Sequence, residues 1–251
     1  MKKIKSSDYS LGKLPAFYDP RNLKFEKFIK KDIGILPESF NNEKMHKFKL
    51  KMYGNDKNGD CAIVAETNQV QRFEFIDQKK PLTFNDEDVL KQYFYQTGGE
   101  DCGIIMADSL KIWKNEGIKL NNTAFKIFAY LYINPRRIEH IKYAIKNLTG
   151  LQAGIWLPKS ASTQIDNNQI WDVVAGIDSE AGSWGGHAVY ICGYNKIGPI
   201  CITWAQYQQM TWPFAFTYID ELYAVGDEKT YENSCLDVDK IKNSLYELSE
   251  G

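Results

Sequence analysis

The chain turns from a polar loop into an apolar run at Gly54-Asn55-Asp56-Lys57-Asn58-Gly59-Asp60-Cys61. From Cys61 neither Gly nor Pro occurs before Pro81, and apolar side chains recur, so we predict a mostly buried helix that begins at the cysteine. A thiol at a helix N-terminus faces unpaired backbone N–H groups and the positive end of the helix dipole. Both effects favour the thiolate, and Cys61 is therefore a candidate nucleophile.

A nucleophilic thiol needs a base, and the three histidines of the chain are the candidates. His46 lies in a lysine-rich stretch and His140 on the polar side of a predicted helix, so we expect both at the surface. His187 follows Gly185-Gly186 and begins the apolar run that ends at Tyr194, which favours a cleft. A histidine there can be purely structural, but the presence of Cys61 favours a catalytic role.

Helix signals dominate the first half of the chain and strand signals the second. Beyond Cys61 we predict helices from Asn85 to Gln96, from Gly103 to Asn115 and from Asn134-Pro135 onward, on capping and turn signals. Short β-rich runs occupy Phe125–Ile133, Leu151–Leu157, His187–Tyr194, Pro199–Ala205 and Leu222–Val225. The order indicates an α+β fold with two lobes and not alternating βαβ units.

Composition narrows the classes of partner. The 251 residues include 31 Lys+Arg and 32 Asp+Glu, and a net charge of -1 provides no overall field for nucleic acid or an anionic membrane. No apolar run approaches a membrane span, and no apolar h-region follows Met1–Ser10, so we expect a cytoplasmic protein. The five cysteines are expected as free thiols, although a disulfide between Cys102 and Cys235 stays open.

Several blocks in register resemble the papain-like cysteine peptidases. Asn55 stands six residues before Cys61, where that family has a Gln that donates to the oxyanion. The further matching blocks are Leu36-Pro37-Glu38-Ser39, Gly98-Gly99, His187-Ala188-Val189 with Gly193-Tyr194, and Ile202-Thr203-Trp204. Thr203-Trp204-Ala205 and Met210-Thr211-Trp212 further resemble papain-like proteins of phages and prophages, which makes association with a virion an alternative location.

The resemblance implies a papain-like two-lobed α+β fold, in which a helical lobe precedes an antiparallel β-sheet or barrel lobe. The domain would span residues 35–251, after an N-terminal extension over 1–34 that straps across part of it. The helical lobe would cover about 55–120, the β lobe about 121–230 and a C-terminal tail about 231–251.

The resemblance also implies the roles of individual residues. Cys61 would attack, His187 would act as base, Asn55 and the Cys61 backbone N–H would bind the oxyanion, and Thr203 would orient His187. Substrate would be bound by Trp184, Gly185, Gly99 and Trp204, with Trp204 also shielding the histidine. The implied substrate is a peptide or isopeptide bond of a polypeptide, and no metal or organic cofactor is required.

Two departures from the family leave a second function open. Thr203 replaces the Asn that orients the histidine, and Asn55 is one methylene shorter than Gln. A misplaced oxyanion donor can cost about 100-fold in rate. The alternative is therefore a catalytically weakened structural or binding protein, for instance one associated with a phage particle. Gln206 or Asn195 could also supply the missing amide.

Other readings of these residues are weaker. Asp56 to Asp60 imitates a calcium loop, but Cys61 stands where the loop needs Gly and Thr67 where it needs Glu. Cys102 lies near a helix start, with no partner evident in the sequence. A lysine-rich face could contact nucleic acid as a local exception; it comprises Lys24, Lys27, Lys30, Lys31, Lys44, Lys47, Lys49 and Lys51.

Overall fold

The computed structural model describes residues 5–17, 19–42, 49–78 and 81–250. His46, Lys44 and Lys47 therefore lie outside the described residues. Within these ranges the α-helices are α1 Cys61–Gln78, α2 Asp86–Gln96, α3 Met106–Asn115, α4 Ile138–Asn147, α5 Lys159–Asp166, α6 Trp212–Tyr218, α7 Glu228–Glu232 and α8 Val238–Glu250. The strands are β1 Phe40–Asn41, β2 Ile118–Leu120, β3 Thr123–Phe125, β4 Ala129–Tyr132, β5 Leu151–Leu157, β6 Gly185–Tyr194, β7 Pro199–Thr203, β8 Gln206–Gln209 and β9 Ile219–Gly226.

Helix α1 begins at Cys61, as the sequence predicts, and every residue from 61 to 72 is buried. Some of its buried polar side chains find partners inside the protein, which offsets the cost of burying them. Gln69 accepts a hydrogen bond of 2.7 Å from Gln152 on β5, and Arg72 donates to the Asn68 carbonyl. The packing of α1 on β6 holds Cys61 against the sheet.

The main sheet is antiparallel, with the strand order β4-β9-β5-β6-β7-β8 and β1 paired to β6. This order is an open path among the described strands and not a closed barrel. Successive side chains of β6 pack on opposite faces, with Ala188 in the helical core and Val189 in the core of the sheet. Burial on both faces explains why β6 is almost continuously apolar.

Two hydrophobic clusters correspond to the two lobes. Cys61 belongs to the cluster formed mainly by α1, α2 and α3, whereas Trp204 belongs to the cluster around the sheet. The N-terminal extension is part of the second cluster, because Phe25 and Phe28 are buried in it. Helix α8 packs on the 3-10 turn Phe25–Phe28.

Two helices begin later than predicted. The helix expected from Asn134-Pro135 is α4, which starts at Ile138, because residues 134–137 form a turn in which the Asn134 side chain accepts from the Arg136 N–H. The helix expected from Gly103 is α3, which starts at Met106. Gly103 has a φ of +79°, and Ile104 is drawn into an extended pairing with Lys13.

The described part of the chain bears on three sequence predictions. All five thiols are free, and Cys192 and Cys201 are buried within β6 and β7. None of the helices in the described ranges has the length and apolar character needed to cross a bilayer. The same ranges contain no group of three or more His, Cys, Asp or Glu side chains that could hold a metal ion.

Candidate active site

The fold brings Cys61 and the start of β6 into direct contact. The backbone N–H of Ala188 donates to Cys61 Sγ at 3.3 Å, across 127 residues of sequence. His187 immediately precedes Ala188 on the same strand, and both candidate residues are only 1% exposed. The first turn of α1 and the first residues of β6 therefore form one site at the boundary of the two lobes.

Thr203 holds the imidazole of His187. His187 Nε2 lies 2.6 Å from Thr203 Oγ1, a distance at which the hydroxyl donates or accepts according to the tautomer. His187 Nδ1 is buried and has no hydrogen-bond partner among the described residues. The amides considered as substitutes bond elsewhere, with Gln206 donating to the Tyr9 hydroxyl and Asn195 to the Gln209 side chain.

Trp204 covers the face of the His187 imidazole. Trp204 and Ala205 form the two-residue loop between β7 and β8, with φ values of 43° and 58°. Two-residue hairpin loops of this kind require positive φ, which is unfavourable for residues other than Gly and Asn. The Trp204 indole stacks on His187 with 4.1 Å between ring centroids, a contact that helps to offset the unfavourable backbone conformation. The ring centroid of Trp184 lies 5.4 Å from that of Trp204.

A segment near the N-terminus lies across the site. We call residues 9–14 the occluding segment; its backbone is hydrogen bonded to both lobes. On the helical lobe, the Ile104 N–H donates to the Gly12 carbonyl at 2.8 Å, and the Leu14 N–H donates to the Ile104 carbonyl at 3.0 Å. On the sheet lobe, the Lys13 N–H donates to the Gly186 carbonyl at 3.0 Å. Tyr9 stacks on Trp204 at 4.4 Å.

Glycines on both walls make room for this backbone. A Cβ on Gly186 would come within 2.2 Å of the Lys13 carbonyl oxygen, and one on Gly103 within 2.5 Å of the Gly12 oxygen. On Gly12 itself a Cβ would lie 1.8 Å from the Gly59 oxygen. At Gly185, a predicted substrate-binding residue, a Cβ would lie 2.7 Å from the side-chain Cδ1 of Leu11. The cleft is therefore shaped to accept a main chain.

Asn55 faces the occluding segment. Its Nδ2 donates to the Ser10 carbonyl at 3.4 Å and to the Asn58 carbonyl at 3.2 Å, and the residue is 1% exposed. The Asn55 carbonyl in turn accepts from the Ser10 N–H at 3.1 Å. The amide predicted to bind an oxyanion thus bonds to a backbone carbonyl of the chain that occupies the cleft.

Gly99, which the sequence predicts to bind substrate, lies in an open turn. Gly98 and Gly99 form an exposed turn after α2, where a Cβ would meet no atom within 4 Å. The wall that pairs with the occluding segment is instead Gly103-Ile104. Sequence reasoning missed Gly103 because its partner, Gly12, lies about ninety residues away along the chain, and no local pattern links the two.

Burial also changes the electrostatics expected at Cys61. Desolvation raises the pKa of the Cys61 thiol to about 11, although the N–H groups of Ala188, Gly12 and Ala62 oppose the rise. Desolvation likewise lowers the pKa of His187 to about 3. While the occluding segment is in position, burial therefore opposes the thiolate that the helix N-terminus favours at Cys61.

Cys102 and Lys51, two further residues singled out in the sequence, lie outside the site around Cys61. Cys102 is exposed, and its Sγ lies 3.8 Å from the carbonyl oxygen of Gly103. Lys51, part of the proposed lysine-rich face, donates to the Phe84 carbonyl at 2.8 Å and pairs with Asp86, so it is not a free surface cation.

Comparison with known proteins finds similarity in solved structures but not in family models or curated sequences. No protein-family model matches the chain, and no curated protein sequence matches it. Among solved structures, xylellain, a cysteine protease from Xylella fastidiosa, superposes with a TM-score of 0.69 at 17% identity over 90% of this chain and 98% of its own.

Two further structures have lower similarity. Procathepsin B from Trypanosoma congolense gives 0.59 at 13% identity, over 88% of this chain and 89% of its own. The cysteine protease from Carica candamarcensis in complex with E-64 gives a TM-score of 0.56 at 13% identity, over 76% of this chain and 99% of its own. The chain has the fold of the papain-like cysteine proteases, as its sequence resemblance implies.

Proposed function

We propose that the protein is a thiol-dependent hydrolase that cleaves peptide or isopeptide bonds through Cys61 and His187, and that residues 9–14 hold it in a latent state. The fold supports this proposal, and so does the contact of Cys61 Sγ with the backbone N–H of Ala188, the residue after His187. So does the family of the structures it resembles, which are cysteine proteases by name.

One observation carries the proposal furthest. The occluding segment crosses directly over Cys61 in an extended conformation, with main-chain hydrogen bonds to Ile104 on one wall and Gly186 on the other. Main-chain bonding of this kind is how proteins bind extended peptides regardless of side chain. A cleft that holds an extended backbone over a buried thiol suits a polypeptide substrate.

The chemistry follows from the two side chains. When substrate replaces the occluding segment, His187 Nδ1 takes the proton of Cys61, and the sulfur attacks the acyl carbon. The tetrahedral intermediate collapses as His187 returns that proton to the leaving amine, which leaves an acyl thioester on Cys61. A water molecule, deprotonated by His187, then releases the acid and restores the thiol.

Two further residues would support these steps. Asn55 already donates to a backbone carbonyl of the segment in the cleft, which supports a role for it and the Cys61 N–H as oxyanion donors. The hydroxyl of Thr203 is hydrogen bonded to His187 Nε2 and would keep the other ring nitrogen, Nδ1, directed at the thiol. Trp204 would keep water from that hydrogen bond.

The alternative is a papain-fold binding or structural protein whose chemistry has weakened. The single hydroxyl contact from Thr203 and the filled cleft favour it. The resemblance to phage and prophage proteins stays a prediction.

The test is hydrolysis of a fluorescently labelled unfolded polypeptide, such as casein, by the Gly12→Ala chain, whose occluding segment cannot pack as in the parent. We expect turnover that disappears in Cys61→Ser and in His187→Ala and persists in Cys102→Ser, the matched thiol control. A correctly folded Gly12→Ala chain whose Cys61 reacts with a thiol probe but which hydrolyses no polypeptide would favour the binding protein.

A further inference from the structure

Lys13 is buried in a way unusual for lysine. Its side chain is 0% exposed, and Nζ lies 2.8 Å from Asp220 Oδ2 and 3.2 Å from Glu221 Oε1. The ammonium also donates to the Leu14 carbonyl at 3.2 Å. Because a buried ammonium is costly unless it is paired, the pocket around it must be complementary to a cation.

The walls of this pocket leave space for a long side chain. Gly154 on β5 faces the lysine, and a Cβ there would come within 2.2 Å of Lys13 Cε and 2.6 Å of Glu221 Cγ. The Trp156 ring lies beneath the ammonium, 4.6 Å from Nζ to the ring centroid, in cation–π contact. We call Gly154, Trp156, Asp220 and Glu221 the acidic pocket.

A β-bulge brings two consecutive acids to one ammonium. Adjacent residues of a regular strand point to opposite faces, so Asp220 and Glu221 would not normally meet the same group. The pairing of β5 with β9 shifts register here, with Gly154 opposite Glu221 and Ile155 opposite Ile219, so that Asp220 is the extra residue. Bulges next to active sites commonly redirect a side chain in this way.

The acids are also held in position and outnumber the lysine. Tyr223 donates to Glu221 Oε2 at 3.0 Å, while the buried Glu221 Oε1 faces the Lys13 ammonium. Glu221 is 2% exposed, and two carboxyl groups face the one ammonium. The pocket therefore has a geometry and charge suited to a cation from whichever chain lies in the cleft.

The acidic pocket adjoins the reacting thiol. Lys13 follows Gly12, whose backbone N–H bonds to the Cys61 thiol, and the Lys13 N–H donates to the carbonyl of Gly186, the neighbour of His187. A polypeptide that takes the place of the occluding segment would insert a side chain into this pocket close to the bond being cleaved.

We propose that the acidic pocket selects a lysine side chain of the substrate polypeptide, and that Lys13 occupies it as an internal mimic. The selectivity for substrate rests on the proposed hydrolase function. The affinity of the pocket for a primary alkylammonium does not, so the two can be tested separately.

The first experiment measures binding without hydrolysis. In the full chain, Lys13→Ala removes the side chain beyond Cβ, and n-propylammonium supplies the missing atoms. We expect n-propylammonium to raise the Tm of Lys13→Ala by several degrees, and neutral 1-propanol to do nothing comparable. Lys13→Met, which fills the space without charge, should show no such response.

Folding failure of Lys13→Ala would not hide the result. Recovery of folded protein on refolding with n-propylammonium, but not with 1-propanol, is then the expected outcome. Equal effects of both compounds, or no effect of either, would overturn the proposal that the acidic pocket binds an alkylammonium group.

The second experiment measures selection. The Gly12→Ala chain is given peptides that differ only by Lys or Met at one position, scanned along the peptide. We expect kcat/KM to favour Lys by about tenfold or more at one position, and this ratio to fall in Glu221→Gln. Equal cleavage of both peptides at every position overturns the selection. If no peptide is cleaved, the hydrolase proposal fails, and the ammonium experiment still decides the pocket.

Discussion

His187 and Thr203 are joined by a hydrogen bond of 2.6 Å between Nε2 and Oγ1, with Trp204 stacked on the imidazole. Nδ1 is buried without a hydrogen-bond partner among the described residues, and in the proposed mechanism it is the nitrogen that exchanges a proton with Cys61. In the proposed mechanism this hydroxyl orients the imidazole in place of the amide of an Asn.

Replacing the hydroxyl of Thr203 tests that role. Thr203→Val keeps the shape but leaves His187 Nε2 buried without a partner, so we expect kcat to fall about 10- to 100-fold in the Gly12→Ala background. Thr203→Ser, which retains the hydroxyl, is the matched control and should keep most of the activity. Steady-state kinetics with one peptide checks this, and an unchanged kcat in Thr203→Val would remove Thr203 from the mechanism.

Gly12 should act as the anchor of the occluding segment. Because a Cβ there would lie 1.8 Å from the Gly59 oxygen, Gly12→Ala should displace the segment. Hydrogen exchange would detect the change as lost protection of the Lys13, Leu14 and Ile104 amides. Ser7→Ala, an exposed change just before the segment, should leave them protected. Equal protection in all three proteins would mean that the segment is held by other contacts.

The reactivity of Cys61 should depend on pH in two different ways. Burial raises the pKa of its thiol to about 11, so alkylation of the parent chain should increase only as pH rises toward that value. Displacing the segment in Gly12→Ala readmits water and should move the midpoint to lower pH. Alkylation rates measured from pH 5 to 11 check this, and superimposable profiles would contradict it.

Glu66 should make the fold less stable as pH rises. Burial within α1 raises the pKa of Glu66 to about 8, whereas in the unfolded chain it titrates near pH 4.3. The folded state therefore retains a proton that the unfolded state loses, and the free energy of unfolding falls between these pH values by up to about 1.4 kcal/mol per unit.

Glu66→Gln should flatten the fall in the free energy of unfolding with pH. The difference in stability between the variant and the parent should therefore shift in favour of the variant from pH 5 to pH 8. Urea unfolding at several pH values measures the slope. Glu87→Gln, at an exposed position on α2, is the matched control and should leave the slope as it is. Parallel slopes for the parent and Glu66→Gln would show that Glu66 does not retain its proton on folding.

The sequence predicts much of this site because its signals are local. A polar loop before an apolar run marks the start of α1 at Cys61, and the apolar run after Gly185-Gly186 marks β6, which begins two residues before the histidine, at Gly185. The α+β order of elements follows from the same periodicities. Helix starts are less certain, as the turn before Ile138 shows.

The occluding segment could not be predicted in the same way. Gly12 and Lys13 lie in a stretch without helical or strand periodicity, and their partners are Gly59, Ile104, Gly186 and the two acids of β9. These are tertiary contacts. A lysine near the N-terminus of a chain usually lies in solvent, and only the bulge at Gly154 makes a buried site for one.

The most direct measurement compares two thiols in one molecule. In the Gly12→Ala chain near pH 6, alkylation by iodoacetamide is followed by mass spectrometry at Cys61 and at the exposed Cys102. A catalytic pair predicts that Cys61 reacts at least about tenfold faster than Cys102, and that His187→Ala removes the difference. Reaction of Cys61 no faster than Cys102, unchanged by His187→Ala in a chain shown to have displaced its occluding segment, would contradict the proposed hydrolase.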